Sequence, residues 1–114
     1  MTFRVTILPQ ARGDIDRNAD WWAKHHSVEQ ALRWSDAIYD QLEALRDSPK
    51  SYSLAGENDE FPYEIRQKLV GLGSRLGYRA VFTIKHEEVF VLTVQAAEQD
   101  RLTTHDVDFS LDRE

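Results

Sequence analysis

Residues 63–95 read YEIRQKLVGLGSRLGYRAVFTIKHEEVFVLTVQ, and this stretch predicts three consecutive β-strands. The strand segments are 63–69, 78–85 and 88–95, and the connections are the glycine-rich 71–77 and a tight turn at His86-Glu87. The first two segments alternate apolar and polar residues at the two-residue period of a pleated strand. The third is almost continuously apolar, which is typical of a central strand. Because the connections are short, the stretch predicts an antiparallel meander.

The chain before this stretch opens with a strand and a helix. Residues 2–8 alternate as a first strand, and Pro9 ends it at a position that suits the first turn of a helix. Apolar residues then recur at three- or four-residue spacing across 10–24, which predicts an amphipathic helix. Three charged residues are expected on its solvent side: Asp14, Asp16 and Arg17.

A second helix is predicted over 28–46 from the same kind of apolar spacing. Ser27 and Gln30 form a capping box at its start. The connection between the two helices is short, so they are expected to lie antiparallel as a helical hairpin. The loop that follows, 47–62, is long for a small domain, which suggests that it packs on something or has a role.

The order of these elements predicts an α+β fold. It consists of an N-terminal strand, a two-helix antiparallel hairpin and a three-stranded antiparallel meander, with the helices packed on one face of the sheet. With 114 residues the chain has room for one domain, assigned to residues 1–97. Residues 98–114 are expected to form an acidic C-terminal tail that is partly ordered and frays by 111–114.

Composition limits the kinds of function. The chain has no cysteine, which excludes disulfides and thiolate chemistry. The N-terminus does not resemble a signal peptide, and the longest apolar-leaning run, 89–94, is far shorter than the roughly 20 residues that span a bilayer. The sequence therefore predicts a soluble cytoplasmic protein with no membrane association.

The charge distribution leaves room for a local anion site. The net charge is −6. Residues 61–97 hold 5 basic and 3 acidic groups, a net of +2, whereas 1–60 (7 basic, 11 acidic) and 98–114 (2 basic, 6 acidic) each have a net of −4. A basic region between two acidic ones can still attract an anionic partner, although the total charge argues against a general nucleic-acid binder.

Three groups of residues carry a resemblance to a known family. They are VTILPQARGDI at 5–15; ALRW at 31–34 with AI at 37–38 and LEAL at 42–45; and YEIR at 63–66 with GYRAVFTI at 77–84 and the strand at 89–94. In this order and spacing they resemble the RelE/ParE superfamily of toxins from type II toxin–antitoxin systems, over nearly the whole chain. The resemblance implies a toxin neutralised by a cognate antitoxin that wraps over the helical hairpin and the sheet, as a homodimer or a hetero-oligomer with the antitoxin.

The resemblance also implies candidate site residues. In ribosome-dependent members of the superfamily, basic residues on the concave side of the sheet hold mRNA phosphates, and guanidinium groups neutralise the charge that gathers on the reacting phosphorus. Arg66 and Arg79 match these positions and are the candidate catalytic residues. Both fall on the polar phase of their strands, so both are expected to point to one surface. The auxiliary candidates are Lys68, Arg75, Gln95 and His105.

This sequence departs from the ribonuclease pattern at two places. Glu64 occupies a position where a lysine is expected, and 95–100 reads QAAEQD in place of a basic cluster, so that Glu98 and Asp100 would repel RNA phosphate. These departures favour the ParE branch, which acts on DNA gyrase. Two alternatives stay open: a ribosome-dependent mRNA endoribonuclease of RelE type, and a retired toxin that acts only as a binding module.

Structural roles are also predicted for several conspicuous residues. Arg66 and Arg79 can instead be solvated sheet residues paired with neighbouring glutamates. Two tryptophans, Trp22 and Trp34, are expected in the core at helical spacing, with Trp21 partly exposed. His25-His26 is interpreted as a helix C-terminus, since adjacent imidazoles diverge, and no metal or cofactor is expected. The carboxylates at 57–60 are expected to be a solvated loop.

Overall fold

A computed structural model describes residues 2–98 and 101–109, except for the side chain of Arg75. Its strands and helices follow the predicted order. They are β1 Arg4–Ile7, α1 Pro9–His25, α2 Val28–Glu43, β2 Arg66–Leu72, β3 Arg75–Lys85 and β4 Glu88–Ala96. Short 3-10 turns follow α2 at Ala44–Arg46 and occur in the loops at Pro49–Ser51, Asn58–Glu60 and Thr104–Asp106. The α+β fold class is confirmed, while residues 99–100 and 110–114, including the predicted frayed end, lie outside the described residues.

The helical hairpin begins and turns where the local sequence predicts. Pro9 occupies the first helical position of α1, where an N–H is not needed. Ser27 is the N-cap of α2, and its Oγ accepts a hydrogen bond from the Gln30 N–H at 3.0 Å. The predicted second helix ends earlier than expected as an α-helix, because the chain tightens into the 3-10 turn from Ala44 onward.

The sheet has the strand order β1-β4-β3-β2, with β1 parallel to β4 and the other two pairs antiparallel. The meander is therefore confirmed, and β4 is a central strand as its apolar composition predicts. The predicted bounds of β2 are wrong by three residues at each end. Its C-terminal end lies later than predicted because the connection to β3 is a tight turn at Gly73 and Ser74. Gly73 has φ +66, which glycine adopts more readily than other residues, so the hairpin closes there: β2 continues to Leu72 and β3 begins three residues before its predicted start.

β4 contains a β-bulge, where one extra residue interrupts its pairing with β3. Val81 pairs with Thr93 and Phe82 pairs with Val91, which leaves Leu92 as the extra residue. Beyond the end of β1, the edge of β4 has no neighbouring strand, and α1 supplies a hydrogen-bond acceptor there: the Asp14 carboxylate accepts from the Val94 N–H at 3.1 Å. Asp14 is consequently buried, and the prediction that it lies on the solvent side of α1 is wrong.

Apolar side chains fill both sides of the sheet. The larger core lies between the helices and one face of the sheet. Its most deeply buried members include Ile15, Trp34, Ile38, Leu42, Val70, Ala80, Phe82 and Val89. The smaller core lies on the opposite face and includes Ala55, Phe61, Ile65, Val81, Leu92, Leu102 and Val107. The helices cover one face as predicted, while the later part of the 47–62 loop, with Ala55 and Phe61, and the 101–109 segment, treated from sequence as loop and tail, close the other.

Candidate functional site

The two candidate catalytic arginines lie on opposite faces of the sheet. Directly paired residues of antiparallel strands share a face. Arg66 pairs with Phe82, which belongs to the helix-side core, whereas Arg79 pairs with Leu69 on the other side. The expectation that both arginines point to one surface is therefore wrong. The sequence correctly predicts which residues alternate within each strand. Whether residues of two strands share a face depends on the register between the strands, which is not evident from the sequence.

Arg79 is only 8% exposed, and its guanidinium is surrounded by hydrogen-bond acceptors. Its guanidinium makes a two-pronged ion pair with Glu57: Nη1 donates to Oε1 at 2.9 Å and Nη2 donates to Oε2. Nη1 also donates to Gln67 Oε1 at 2.9 Å. With its amide oxygen turned toward the guanidinium, Gln95 accepts from Nη2 at 2.7 Å and from Nε at 3.1 Å. Side chains from β2, β4 and the preceding loop thus engage the donor groups of Arg79.

Glu57 is the residue that sequence reasoning missed at this site. It is 3% exposed, so the prediction that the acidic stretch at 57–60 is solvated is wrong at this position. Its carboxylate also accepts from the Leu102 N–H at 2.8 Å, which joins the C-terminal segment to the loop. The hydrogen bond from Arg79 lowers the pKa of Glu57 to about 2, against the opposing effect of burial and with help from the Leu102 N–H. Glu57 is therefore a carboxylate at any physiological pH.

Arg66 and Lys68 hold other parts of the chain against the edge strand β2. Arg66 Nη1 donates to the Tyr52 carbonyl at 2.6 Å and to the Lys50 carbonyl at 3.2 Å, and Nη2 donates to Glu64 at 3.0 Å. This last contact is the glutamate pairing that the structural interpretation of Arg66 predicts.

Lys68 Nζ donates to the carbonyl of Gln41 in α2 at 2.7 Å. The basic groups of β2 thus bind backbone carbonyls of this chain.

The remaining auxiliary candidates with described side chains, Gln95 and His105, lie in different surroundings. Gln95 is buried beside Arg79, as described. Arg75 begins β3 at the turn, and its side chain lies outside the described residues. His105 is exposed on the 3-10 turn Thr104–Asp106, within the segment that covers the smaller core. The catalytic role of the candidate residues stays a prediction.

Three further findings concern metal binding, membrane spanning and the exposed aromatic residues of α1. Within residues 2–98 and 101–109, no group of three or more histidine, aspartate or glutamate side chains is arranged to hold a metal ion. In the same part of the chain, no helix has the length and apolar character needed to cross a bilayer. His25 stacks on Trp21 with ring centroids 4.5 Å apart, and Trp21 is partly exposed as predicted.

Comparison with models of known protein families identifies one family. A family model described as the ParE toxin of the parDE type II toxin–antitoxin system matches residues 5–101. A search of curated proteins by sequence gives no match.

Two solved structures are similar in fold. One, described as the chromosomal ParDE TA system from P. aeruginosa, has 22% sequence identity and a TM-score of 0.70, covering 85% of this chain and 98% of that one. The other is a double arginine-to-alanine mutant of the E. coli toxin RelE in the free state, with 22% identity, a TM-score of 0.50 and 86% of each chain covered.

Proposed function

The chain belongs to the family of ParE toxins of type II toxin–antitoxin systems, and from this membership we propose that it arrests growth in the cytoplasm by binding DNA gyrase, without cleaving RNA. A cognate antitoxin neutralises it by covering the helical hairpin and the adjoining part of the sheet. The observation that favours gyrase binding over RNA cleavage is the burial of Arg79 in its ion pair with Glu57.

Arg79 is poorly suited to stabilise a phosphorane. A guanidinium acts on developing phosphoryl charge only if its donors reach the reacting oxygens. Here a carboxylate from the chain's own loop already accepts from both terminal nitrogens. An RNA phosphate would have to displace Glu57, leaving that carboxylate buried without its partner at a cost of several kcal/mol, on the order of 3–5.

Arg66 does not replace Arg79 as a positive charge for an RNA phosphate. Arg66 lies on the helix-side face of β2 and binds the carbonyls of Tyr52 and Lys50, so it does not converge with Arg79 on a common phosphate. The face that carries Arg79 is covered by apolar residues of the loop and of the C-terminal segment, among them Phe61 and Leu102. These contacts favour a toxin that acts by binding its target, and they argue against one that cleaves mRNA.

Induced expression combined with two purified assays tests this proposal. Purified protein should inhibit DNA supercoiling by gyrase or trap gyrase cleavage complexes, and induced cells should filament with signs of DNA damage. It should leave mRNA intact on programmed ribosomes. Rapid translation arrest with mRNA cleavage would replace the proposal with the RelE-type alternative, and the absence of any growth phenotype would indicate a retired toxin.

A single substitution sharpens the comparison. Arg66→Ala keeps the buried pair of Arg79 intact, so the protein should stay folded and toxic if RNA cleavage is not its activity. A ribonuclease that uses Arg66 should lose growth arrest in this variant while its circular dichroism stays unchanged. Arg79→Ala is not useful for this purpose, because it leaves Glu57 buried without a partner and tests folding instead.

A further inference from the structure

The outer edge of β2 is one end of the sheet. In the strand order β1-β4-β3-β2, β2 pairs with β3 along one side only. Along the other side of such a strand, alternate residues direct their N–H and C=O groups outward, and an uncovered row of these groups is a template for a strand of another chain. How each outward-facing residue is covered therefore decides whether a second strand is able to add to β2.

The preceding loop covers the first half of this edge. The Gln67 N–H donates to the Ser53 carbonyl at 3.0 Å, and the Ala55 N–H donates to the Ile65 carbonyl at 2.9 Å. These bonds flank an isolated antiparallel bridge between the loop and the start of β2. They also show which backbone groups point outward, because the N–H of Gln67 meets a residue outside the strands. The outward row then continues from Gln67 at two-residue intervals, to positions 69 and 71.

One side chain of α2 covers the end of the row. Gln41 Nε2 donates to the Gly71 carbonyl at 2.6 Å, and Gln41 Oε1 accepts from the Gly71 N–H at 3.0 Å. An antiparallel neighbour makes two such bonds with a single residue of an edge strand, and a carboxamide has both the donor and the acceptor that they require. Gln41 therefore takes the place of a strand at Gly71. Within the described edge, Leu69 is the outward-facing residue between the two covers, and it is 49% exposed.

Lys68 holds Gln41 in this position. The bond from Lys68 Nζ to the main-chain carbonyl of Gln41 engages one of the last four carbonyls of α2, which generally lack a partner within the helix. The same ammonium group lies 5.4 Å from the ring centroid of Tyr52 in the loop. Both the main chain and the side chain of Gln41 are thus bound to β2, so its amide is fixed over the edge. Lysine is also a residue type that protects edge strands by its charge.

We propose that Gln41 is an edge cap, which prevents β2 from pairing with the β2 strand of a second copy of this chain. With the cap in place, the open row is the single residue Leu69, which is too short for a ladder. Without it, Leu69 and Gly71 are both open and form consecutive pairing positions. Two such edges are self-complementary about a twofold axis, so each copy satisfies the outward groups of the other. The proposal does not depend on the cellular target of the protein.

Removal of the cap tests the proposal. Gln41→Ala deletes the carboxamide and retains a residue that favours the helix. Sedimentation velocity over a hundredfold range of protein concentration measures self-association of the purified chain. The variant should dimerise at a concentration at least tenfold lower than the wild type does. Adding Leu69→Pro to this variant should restore the wild-type behaviour, because proline lacks the N–H that the ladder needs and is tolerated in edge strands.

Gln10→Ala is the matched control. The Gln10 amide makes the same kind of clamp: its Oε1 accepts from the Asp108 N–H at 2.9 Å, and its Nε2 donates to the Asp106 carbonyl. The clamped backbone lies in the C-terminal segment, outside the strands of the sheet. The control therefore loses an equivalent pair of bonds without opening a sheet edge, and it should self-associate no more than the wild type does.

Three results would overturn the edge cap. One is self-association of Gln41→Ala within threefold of the wild type. Another is equal self-association of Gln41→Ala and Gln10→Ala, because a general loss of stability then explains both. The third is a dimer that persists when Leu69→Pro is added, because the contact between the copies then lies outside the β2 edge.

A second measurement uses the wild-type chain, so it does not depend on a variant that folds. Hydrogen exchange of single backbone amides, followed by ¹H–¹⁵N correlation spectroscopy, compares Gly71 with Leu69. The Gly71 N–H, bound by the Gln41 amide, should exchange at least tenfold more slowly than the uncovered Leu69 N–H. Equal exchange of the two amides would show that the carboxamide does not close the edge, and it would overturn the proposal without any substitution.

Discussion

Glu57→Ala should destabilise the protein far more than an ordinary loop substitution. The variant leaves the Arg79 guanidinium buried without its carboxylate and removes the acceptor for the Leu102 N–H. Breaking a buried ion pair in this way costs about 3–5 kcal/mol. Because small domains have total stabilities of about 5–15 kcal/mol, this change should shift the urea midpoint strongly or unfold the chain. Tryptophan fluorescence and circular dichroism during urea titration at pH 7 measure the loss.

Glu60→Ala is the matched control for this substitution. Glu60 also pairs with an arginine, Arg101, but the two side chains are 51% and 62% exposed. Exposed ion pairs contribute about 0–1 kcal/mol, so the control should stay close to the wild type. Removing both members of the buried pair, with Glu57→Ala and Arg79→Met together, should cost less than the sum of the single changes. A loss below 1 kcal/mol for Glu57→Ala, or strict additivity in the double variant, would refute the assigned role of this pair.

The same pair predicts a pH dependence with a definite sign. The folded protein holds the pKa of Glu57 at about 2 against a usual value of 4.5, so the unfolded chain binds this proton more readily. The stability that Glu57 provides is therefore complete above about pH 5 and is lost as the pH falls toward 2. At 1.36 kcal/mol per pKa unit the contribution is about 3 kcal/mol. The difference in stability between wild type and Glu57→Ala should shrink over this interval, and a constant difference would contradict the assignment.

Three further substitutions test separate parts of the fold by urea unfolding. Asp14→Ala should cost about 2 kcal/mol because it leaves a buried N–H of β4 unpaired, whereas exposed Asp16→Ala should cost little; equal losses would contradict the role of Asp14 as acceptor for the Val94 N–H. Gly73→Ala should cost about 1 kcal/mol because of its positive φ, and Gly56→Ala, at a residue without one, should not. Leu102→Ala should cost about 2–5 kcal/mol if the C-terminal segment is part of the smaller core; a neutral result would make that segment dispensable.

Local sequence patterns predict the elements of this fold well. The hairpin of helices, the capping by Ser27 and the central position of β4 all follow from spacing within a single segment. The end of β2 does not, because the glycines at 71–77 predict one long connection, whereas a single positive φ at Gly73 closes the turn. Register and face are properties of two strands together, so periodicity in one strand does not determine them.

The burial of Arg79 could be predicted from the apolar character of the neighbouring strand, whereas the position of its partner could not. The continuous apolar run of β4 indicates a strand buried on both faces, and a strand next to it in the sheet then has no solvated face in its centre. Arg79 follows that logic: it is followed by Ala80, Val81 and Phe82, so it is expected to be buried and paired, and a carboxylate is its favoured partner. That partner, Glu57, lies 22 residues away in a loop without periodicity. The need for a carboxylate was therefore predictable, but its position was not. A match in position to a family's cleavage arginine does not establish the same role, because the role depends on which acceptor the guanidinium meets.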